Sequence, residues 1–227
     1  GHAVVCNSDG GIEMSWGDAS RVVLPRSSSK MIQALPLITS GAADAFGLTT
    51  EHLALACASH RGEAMHTERV SRWLGDLGLS DADLRCGAHM PYNTETCHAM
   101  IRADESPCQW HNNCSGKHTG FLTLAQYLGA GPEYLDLDHP VQRAVREASE
   151  RVTDEVTSGY GIDGCSAPNF AFSLTGVARA MAHFAASPKD SAETRLHEAM
   201  RLHPELVAGN GRACTELMRA AGGEVAI

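Results

Sequence analysis

The stretch VVLPRSSSKMIQALPLITS, residues 22–40, passes from a short apolar run to a helical pattern through three serines and a lysine. Apolar residues recur at a helical spacing from Ser27 to Ser40, which predicts a helix over this range. Pro36 should kink that helix, because proline cannot donate a backbone hydrogen bond and crowds the preceding turn. A strand pattern that gives way to a helix indicates a fold that contains both kinds of element.

The residues before this stretch predict a β-hairpin. Ala3–Cys6 and Ile12–Trp16 are strand-like segments that flank NSDGG, whose Asp9-Gly10 pair supplies the positive φ angle that a tight turn needs. Arg21–Leu24 would add a third strand.

Helical patterns dominate the rest of the chain. Their predicted ranges are Thr50–Cys57, His66–Leu77, Lys117–Leu128, Pro140–Val152, Leu174–Ala185, Glu193–Leu202 and Arg212–Ala220. Asp138 is the expected N-cap of the helix that begins at Pro140. Few strands and many helices predict an α+β fold, in which a modest antiparallel sheet is surrounded by helices. Because no repeat or linker is evident, residues 1–227 are expected to form one domain.

Composition and charge exclude several classes of function. The chain has 227 residues, 43% of them hydrophobic, and its net charge of −9 argues against nucleic-acid binding, since no basic block is present. No apolar stretch reaches the ~20 residues that span a bilayer, and no secretory leader is evident, so a cytoplasmic location is expected. The eight cysteines are scattered along a long chain and are expected to be mostly free thiols. A small-molecule partner fits this composition.

Ser27 stands three residues before Lys30 at the start of the predicted helix, a spacing that places both side chains on one face. Burial and the positive end of the helix both favour a neutral amine, so Lys30 could be the base that activates a Ser27 nucleophile. The structural alternative is that Ser27 is a helix N-cap and Lys30 a solvated residue. The adjacent Arg26 could bind a substrate carboxylate through two hydrogen bonds.

Two polar loops carry residue types that bind metals. HNNCSGKH, residues 111–118, contains Cys114 and His118, and GIDGCSAPN, residues 161–169, contains Cys165. Two thiolates and a nitrogen ligand would suit zinc, whereas a thiol enzyme would need Cys114 activated by His111 or His118. The third possibility is that these cysteines are small buried hydrophobic residues.

Three further residues fit the same kind of site. Asp163, in the second of these loops, could hold a substrate α-amino group. CASHRGE, residues 57–63, follows an apolar helix and presents Ser59 and His60 before a glycine. Ser59 could belong to the site, or this segment could be a polar loop that ends the helix.

Five segments taken together resemble the asparaginase II family, the group of the rhizobial inducible thermolabile enzyme. They are PRSSSKMIQALPL (25–37), LALACASHRGE (53–63), HNNCSGKHTGFL (111–122), DLDHPVQRAV (136–145) and GIDGCSAPNFAF (161–172). The resemblance covers residues 1–227 as a single domain of that family. It implies a serine β-lactamase-like fold, a homodimer, and hydrolysis of L-asparagine to L-aspartate and ammonia.

The resemblance also implies roles for individual residues. Ser27 is similar to the family's nucleophile, Lys30 to its helical partner, and Ser59 to a second active-site serine. The implied ligands of a metal ion, generally zinc, are Cys114, Lys117 and Cys165. A lysine thus replaces the histidine considered above as the nitrogen ligand. The implied substrate-binding residues are Arg26, His60, Asn113, Gly116, His118 and Asp163.

The sequence departs from the family at both ends. Family members carry a further catalytic lysine, paired with the second serine, in a segment that would follow Ile227, and they begin several residues before Gly1. The sequence is therefore expected to lack a short N-terminal part and a longer C-terminal part of the family's domain.

Two other functions are compatible with the same residues. One is another serine hydrolase with the Ser-x-x-Lys pattern, acting on a β-lactam or a peptide, although the sequence contains neither S-D-N nor K-T-G. The other is a catalytically silent zinc-binding regulatory protein, in which Cys114 and Cys165 hold two loops together.

Overall fold

The computed structural model describes residues 1–227, and its first elements are the two strands of the predicted hairpin. Strand β1 (Ala3–Cys6) pairs antiparallel with β2 (Ile12–Trp16). The Asn7 side-chain oxygen accepts hydrogen bonds from two amides of the turn, which holds the turn closed. Gly10 has a φ of 79°, a left-handed conformation that glycine adopts easily. The hairpin prediction is confirmed.

The remaining strands form two separate two-stranded ladders. β3 (Val22–Val23) pairs antiparallel with β6 (Phe172–Ser173), and β4 (Tyr160–Ile162) pairs antiparallel with β5 (Pro168–Phe170). The third strand predicted at Arg21–Leu24 exists in part, but the expectation that it joins the hairpin in one sheet is wrong. Its partner lies far along the chain, so no local pattern could identify the pairing.

Eleven α-helices account for most of the regular secondary structure, and together with the three small antiparallel sheets they are compatible with the predicted α+β class. They are α1 (Lys30–Thr39), α2 (Ala42–Ala45), α3 (Thr50–Ala56), α4 (Ala64–Asp76), α5 (Thr94–Arg102), α6 (Ser115–Tyr127), α7 (Pro140–Thr153), α8 (Leu174–Ala186), α9 (Ala192–Leu202), α10 (Pro204–Ala208) and α11 (Ala213–Ala220). None of them combines the length and the apolar character needed to cross a lipid bilayer.

Three helices, α2, α5 and α10, are not predicted from periodicity. Helix α5 has a largely polar surface and buries only Met100, which explains why its pattern is weak. Its start does carry a signal, because the Asn93 side chain accepts a hydrogen bond from the Thr96 amide at 2.9 Å. The predicted N-cap of α7 is wrong by one residue: His139, not Asp138, occupies that position.

Helix α1 lies at the centre of the helical packing. Every residue from Lys30 to Ile38 is buried, as expected for a helix with neighbours on all sides. It packs against α6, α7 and α9, and Pro36 lies inside it without ending it. The helix begins later than the predicted Ser27, because Arg26–Ser29 forms a 3-10 turn that leads into it.

Helix α6 approaches α3 so closely that only glycine fits at position 116. A Cβ atom on Gly116 would lie 2.3 Å from the Leu55 carbonyl oxygen, which no real contact allows. Gly116 therefore serves packing in this arrangement, and its surroundings do not support the predicted contact with a substrate. Because α6 also packs against α1, this close approach sets where Lys117 lies relative to Lys30.

We expect Gly116→Ala to lower the free energy of unfolding by about 2 kcal/mol or more, because one of the two helices must move. Gly120→Ala on the same helix is the matched control, since its Cβ would lie 3.5 Å from the nearest atom, an ordinary contact. Alanine there should stabilise the helix by up to about 1 kcal/mol. Urea unfolding of both variants measures the difference, and equal effects would contradict the packing argument.

Candidate active site

Two of the predicted serines line one cavity of about 300 Å³. Ser27 comes from the 3-10 turn before α1, and Ser59 comes from the loop that follows α3. The other lining residues are Ser28, Met31, Cys57, Met200, Val207, Ala208, Arg212, Cys214 and Ile227. A concave, largely apolar cavity with a few polar groups is the usual form of a small-molecule site.

Lys30 is connected to this cavity by a hydrogen bond to Ser59. Its side chain is buried, with 1% of the residue exposed. The Nζ atom donates a hydrogen bond to the Ser59 Oγ at 2.9 Å and a second to the Ala58 carbonyl oxygen. The structural alternative of a solvated Lys30 is therefore excluded.

The predicted direct pairing of Ser27 with Lys30 is not what the structure shows. No hydrogen bond joins these two side chains, and Ser27 is exposed whereas the Lys30 ammonium lies in the interior. The two residues are close in sequence, but the buried lysine needs acceptors inside the protein and finds them in the loop after α3. Ser29, rather than Ser27, is the N-cap residue of α1.

Burial lowers the pKa of Lys30, because an ammonium group is poorly solvated in the protein interior. The neighbouring Cys114 opposes this effect, since a thiolate would favour the charged amine. The net effect is a lowered pKa, which makes the neutral amine easier to reach than in an exposed lysine. A neutral amine beside a serine hydroxyl is the arrangement that proton removal from a serine requires.

The predicted metal ligands converge in the interior. Cys114, Lys117 and Cys165 are all buried, and the Lys117 Nζ donates a hydrogen bond to the Cys165 Sγ at 3.2 Å. The interaction of Cys114 with the Cys165 thiol, helped by the charges of two lysines and opposed by burial, lowers the pKa of Cys114 to about 5. The pKa of Cys165 is raised, chiefly by Cys114. The two cysteines therefore act as one coupled pair, as thiols that share a charge do.

His118 lies in the same region, not in the cavity wall. Its Nδ1 atom is 3.0 Å from the Tyr134 hydroxyl, and its Nε2 atom is buried without a hydrogen-bond partner. Burial lowers the pKa of His118 to about 4, so the ring is neutral near pH 7. An unpaired imidazole nitrogen near the Cys165 thiol is an observation that a bound cation would explain.

This donor set fits a zinc ion in its chemistry. Thiolates and neutral nitrogen donors are the ligands that zinc prefers. No cluster of three or more His, Cys, Asp or Glu side chains forms a metal-binding group, so the predicted site depends on Lys117 as a ligand. A lysine binds a metal only in its neutral form, which a bound cation favours.

Arg26 and Asp163 form an ion pair with each other. The Arg26 Nε is 3.0 Å from the Asp163 Oδ1, and the Arg26 side chain is 69% exposed against 10% for Asp163. The Gly164 amide donates a further hydrogen bond to the same oxygen at 2.7 Å. Neither residue lines the cavity. Each predicted substrate anchor is therefore the partner of the other.

His60 and Asn113 have structural roles in this arrangement. His60 is completely buried, and its Nδ1 accepts a hydrogen bond from the Gly62 amide while its Nε2 contacts the Ser115 hydroxyl at 2.9 Å. The Asn113 carbonyl oxygen accepts a hydrogen bond from the His60 amide at 3.2 Å. These contacts occupy both ring nitrogens of His60 within the protein, so they do not support a direct contact between His60 and a substrate.

Arg212 is the main cavity residue that the sequence did not reveal. It lies at the N-terminal boundary of α11 and follows a segment in which Gly209 and Gly211 both have positive φ angles. The two glycines around Asn210 were the available signal, since such turns often shape a binding loop. An exposed arginine has no periodic pattern that could mark it.

The comparison with protein families gives one match. The model of the family described as L-asparaginase II matches residues 1–227, the entire chain. No curated protein matches the sequence.

We expect acid to destabilise the fold through His66. The ring is buried, its Nε2 lies 3.0 Å from the Glu205 carbonyl oxygen, and burial lowers its pKa to about 4. Because the unfolded chain binds this proton near pH 6.5, the stabilising contribution is complete above that pH and is lost as the pH falls towards 4. Between pH 7 and pH 5 the loss should be about 2 kcal/mol.

Urea unfolding at both pH values measures this loss. His66→Gln should reduce the difference between the two pH values, whereas His98→Gln, at an exposed position, should leave it unchanged. An equal pH dependence in wild type and His66→Gln would contradict the assignment.

Proposed function

The chain belongs to the L-asparaginase II family, and on that premise we propose that it hydrolyses the side-chain amide of L-asparagine to L-aspartate and ammonia. The observation that carries this proposal is the hydrogen bond between the Lys30 Nζ and the Ser59 Oγ at the wall of a cavity that Ser27 also lines. A buried amine and two hydroxyls around one cavity are the groups that acyl transfer through a serine ester requires.

In the proposed cycle, the Ser27 oxygen attacks the carbonyl carbon of the side-chain amide. The Ser27 proton passes first to Ser59 and from there to Lys30, whose Nζ is hydrogen-bonded to the Ser59 Oγ. The C–N bond then breaks, the amide nitrogen takes a proton and leaves as ammonia, and a β-aspartyl ester remains on Ser27. Water hydrolyses that ester, which releases L-aspartate and restores the serine hydroxyl.

Arg26 and Asp163 can bind the substrate in this proposal only under one condition. The sequence predicts that Arg26 binds the α-carboxylate and Asp163 the α-amino group, but the two residues form an ion pair with each other. Asparagine would be held by both only if it replaced one ion pair with two. Both residues also lie outside the wall of the cavity that Ser27 and Ser59 line.

We also propose that Cys114, Lys117 and Cys165 hold a zinc ion. When bound, such an ion supplies positive charge that stabilises thiolates and fixes the two loops that carry them. A serine β-lactamase-like fold and a homodimer stay predictions from the family resemblance.

Replacing the two serines separately tests the nucleophile. Ser27→Ala should lower kcat for ammonia release from L-asparagine about 1,000-fold or more, because no ester can form. Ser59→Ala should lower it about 100-fold, the typical effect of losing a proton-transfer group. Ser29→Ala, in the same turn but outside the cavity wall, is the matched control and should stay within a few-fold of wild type.

Mass spectrometry of the rapidly quenched protein should find the β-aspartyl adduct on Ser27. An adduct on Ser59 would show that Lys30 activates its own hydrogen-bond partner, and full activity in both variants would refute serine chemistry. A parallel assay with nitrocefin separates the proposal from a β-lactamase, since an asparaginase should leave that substrate intact.

Metal analysis tests the proposed zinc site. The purified protein should contain about one zinc ion per chain, and chelation should lower its melting temperature, because the ion joins two loops. Cys165→Ser and Lys117→Met should each lose the metal. Cys97→Ser, on α5 and away from the cluster, is the matched control and should retain it. Zinc content unchanged in Lys117→Met would remove the lysine from the ligand set.

A further inference from the structure

The wall of the cavity that Ser27 and Ser59 line also carries a cationic side chain. Seven of its eleven lining residues are hydrophobic. Arg212 is the one lining residue whose side chain carries a formal charge at neutral pH. A guanidinium group at the wall of a cavity attracts the anionic end of a ligand.

Arg212 is also free of partners. No hydrogen bond or ion pair engages its guanidinium group, and the residue is exposed. Arg219 on the same helix behaves differently, since it pairs with Glu205 at 3.4 Å and with Glu216 at 3.3 Å. An unpaired guanidinium at the wall of a cavity can bind a carboxylate through two parallel hydrogen bonds without first breaking another contact.

Arg26 competes for the same role and is less suited to it. Its guanidinium already donates to Asp163 at 3.0 Å, and the residue lies outside the cavity wall. A ligand bound beside Ser27 and Ser59 would have to displace that ion pair to reach Arg26. Arg212, in contrast, shares the wall with both serines.

We propose that Arg212 binds the α-carboxylate of the substrate and thereby selects small amides that carry a carboxylate group. This inference rests on the proposed function for the identity of the substrate, but the anion site itself does not depend on hydrolysis.

Three amides that differ by one charged group test this selection. Succinamate lacks the α-ammonium group of L-asparagine, and 3-aminopropanamide lacks its carboxylate. Wild type should act on L-asparagine and succinamate with kcat/KM values within about 10-fold of each other, and on 3-aminopropanamide about 100-fold less well. The reverse order, with 3-aminopropanamide preferred over succinamate, would overturn the proposal.

Variants then assign the preference to one arginine. Arg212→Gln should raise KM for L-asparagine and succinamate about 10- to 100-fold, change kcat less, and leave 3-aminopropanamide unaffected. Arg212→Lys should restore part of the loss. Arg219→Gln removes the same charge from the same helix and should behave as wild type. An equal loss in Arg212→Gln and Arg219→Gln, or a larger loss in Arg26→Gln, would overturn the assignment.

Calorimetric binding of succinate and L-aspartate separates this inference from the proposed function. If wild type releases no ammonia from L-asparagine but Arg212→Gln binds both dicarboxylates at least 10-fold more weakly than wild type does, the anion site stands and the asparaginase proposal fails. Equal dicarboxylate binding by wild type and Arg212→Gln overturns the anion site, whatever the result of the ammonia assay.

Discussion

The burial of the Lys30 ammonium is the constraint on which the rest of the structure depends. A charged or polar nitrogen that is removed from water must find acceptors inside the protein, or the fold loses several kcal/mol. Lys30 finds them in the Ala58 carbonyl and the Ser59 hydroxyl. These hydrogen bonds join the start of α1 to the end of α3, and the same bonds bring an amine to a serine at the cavity wall. The contact between Lys30 and Ser59 therefore links two parts of the fold and also places the candidate base beside a candidate hydroxyl.

The cluster of thiols around Lys117 is the second polar group in the interior, and it is linked to the first. Cys114 favours the charged form of Lys30, while Lys30 and Lys117 both favour the Cys114 thiolate. Gly116 makes this proximity possible, because only a residue without a side chain lets α6 approach the Leu55 carbonyl. The tight helix contact thus determines the electrostatic surroundings of the candidate base.

The proposed specificity follows from the position of Arg212 in the cavity wall that the two serines share. The cavity wall offers two candidate hydroxyls, Ser27 and Ser59, together with Arg212. Arg26 and Asp163 neutralise each other outside it. An amide substrate that carries a carboxylate would complement this wall, since its anionic end would meet the unpaired arginine and its amide would meet the serines.

The sequence alone identified the hairpin, most of the helices and the family, because turn chemistry, periodicity and short motifs are local properties. Spacing and residue type also identified Ser27, Lys30 and Ser59 as candidate site residues. The sequence could not tell that Lys30 turns to Ser59 instead of Ser27, that His60 is enclosed, or that Arg212 shares the cavity with both serines. Those facts depend on which segments pack together, and packing joins residues whose separation along the chain leaves no periodic trace. Tertiary structure alone decided which of the polar side chains became neighbours.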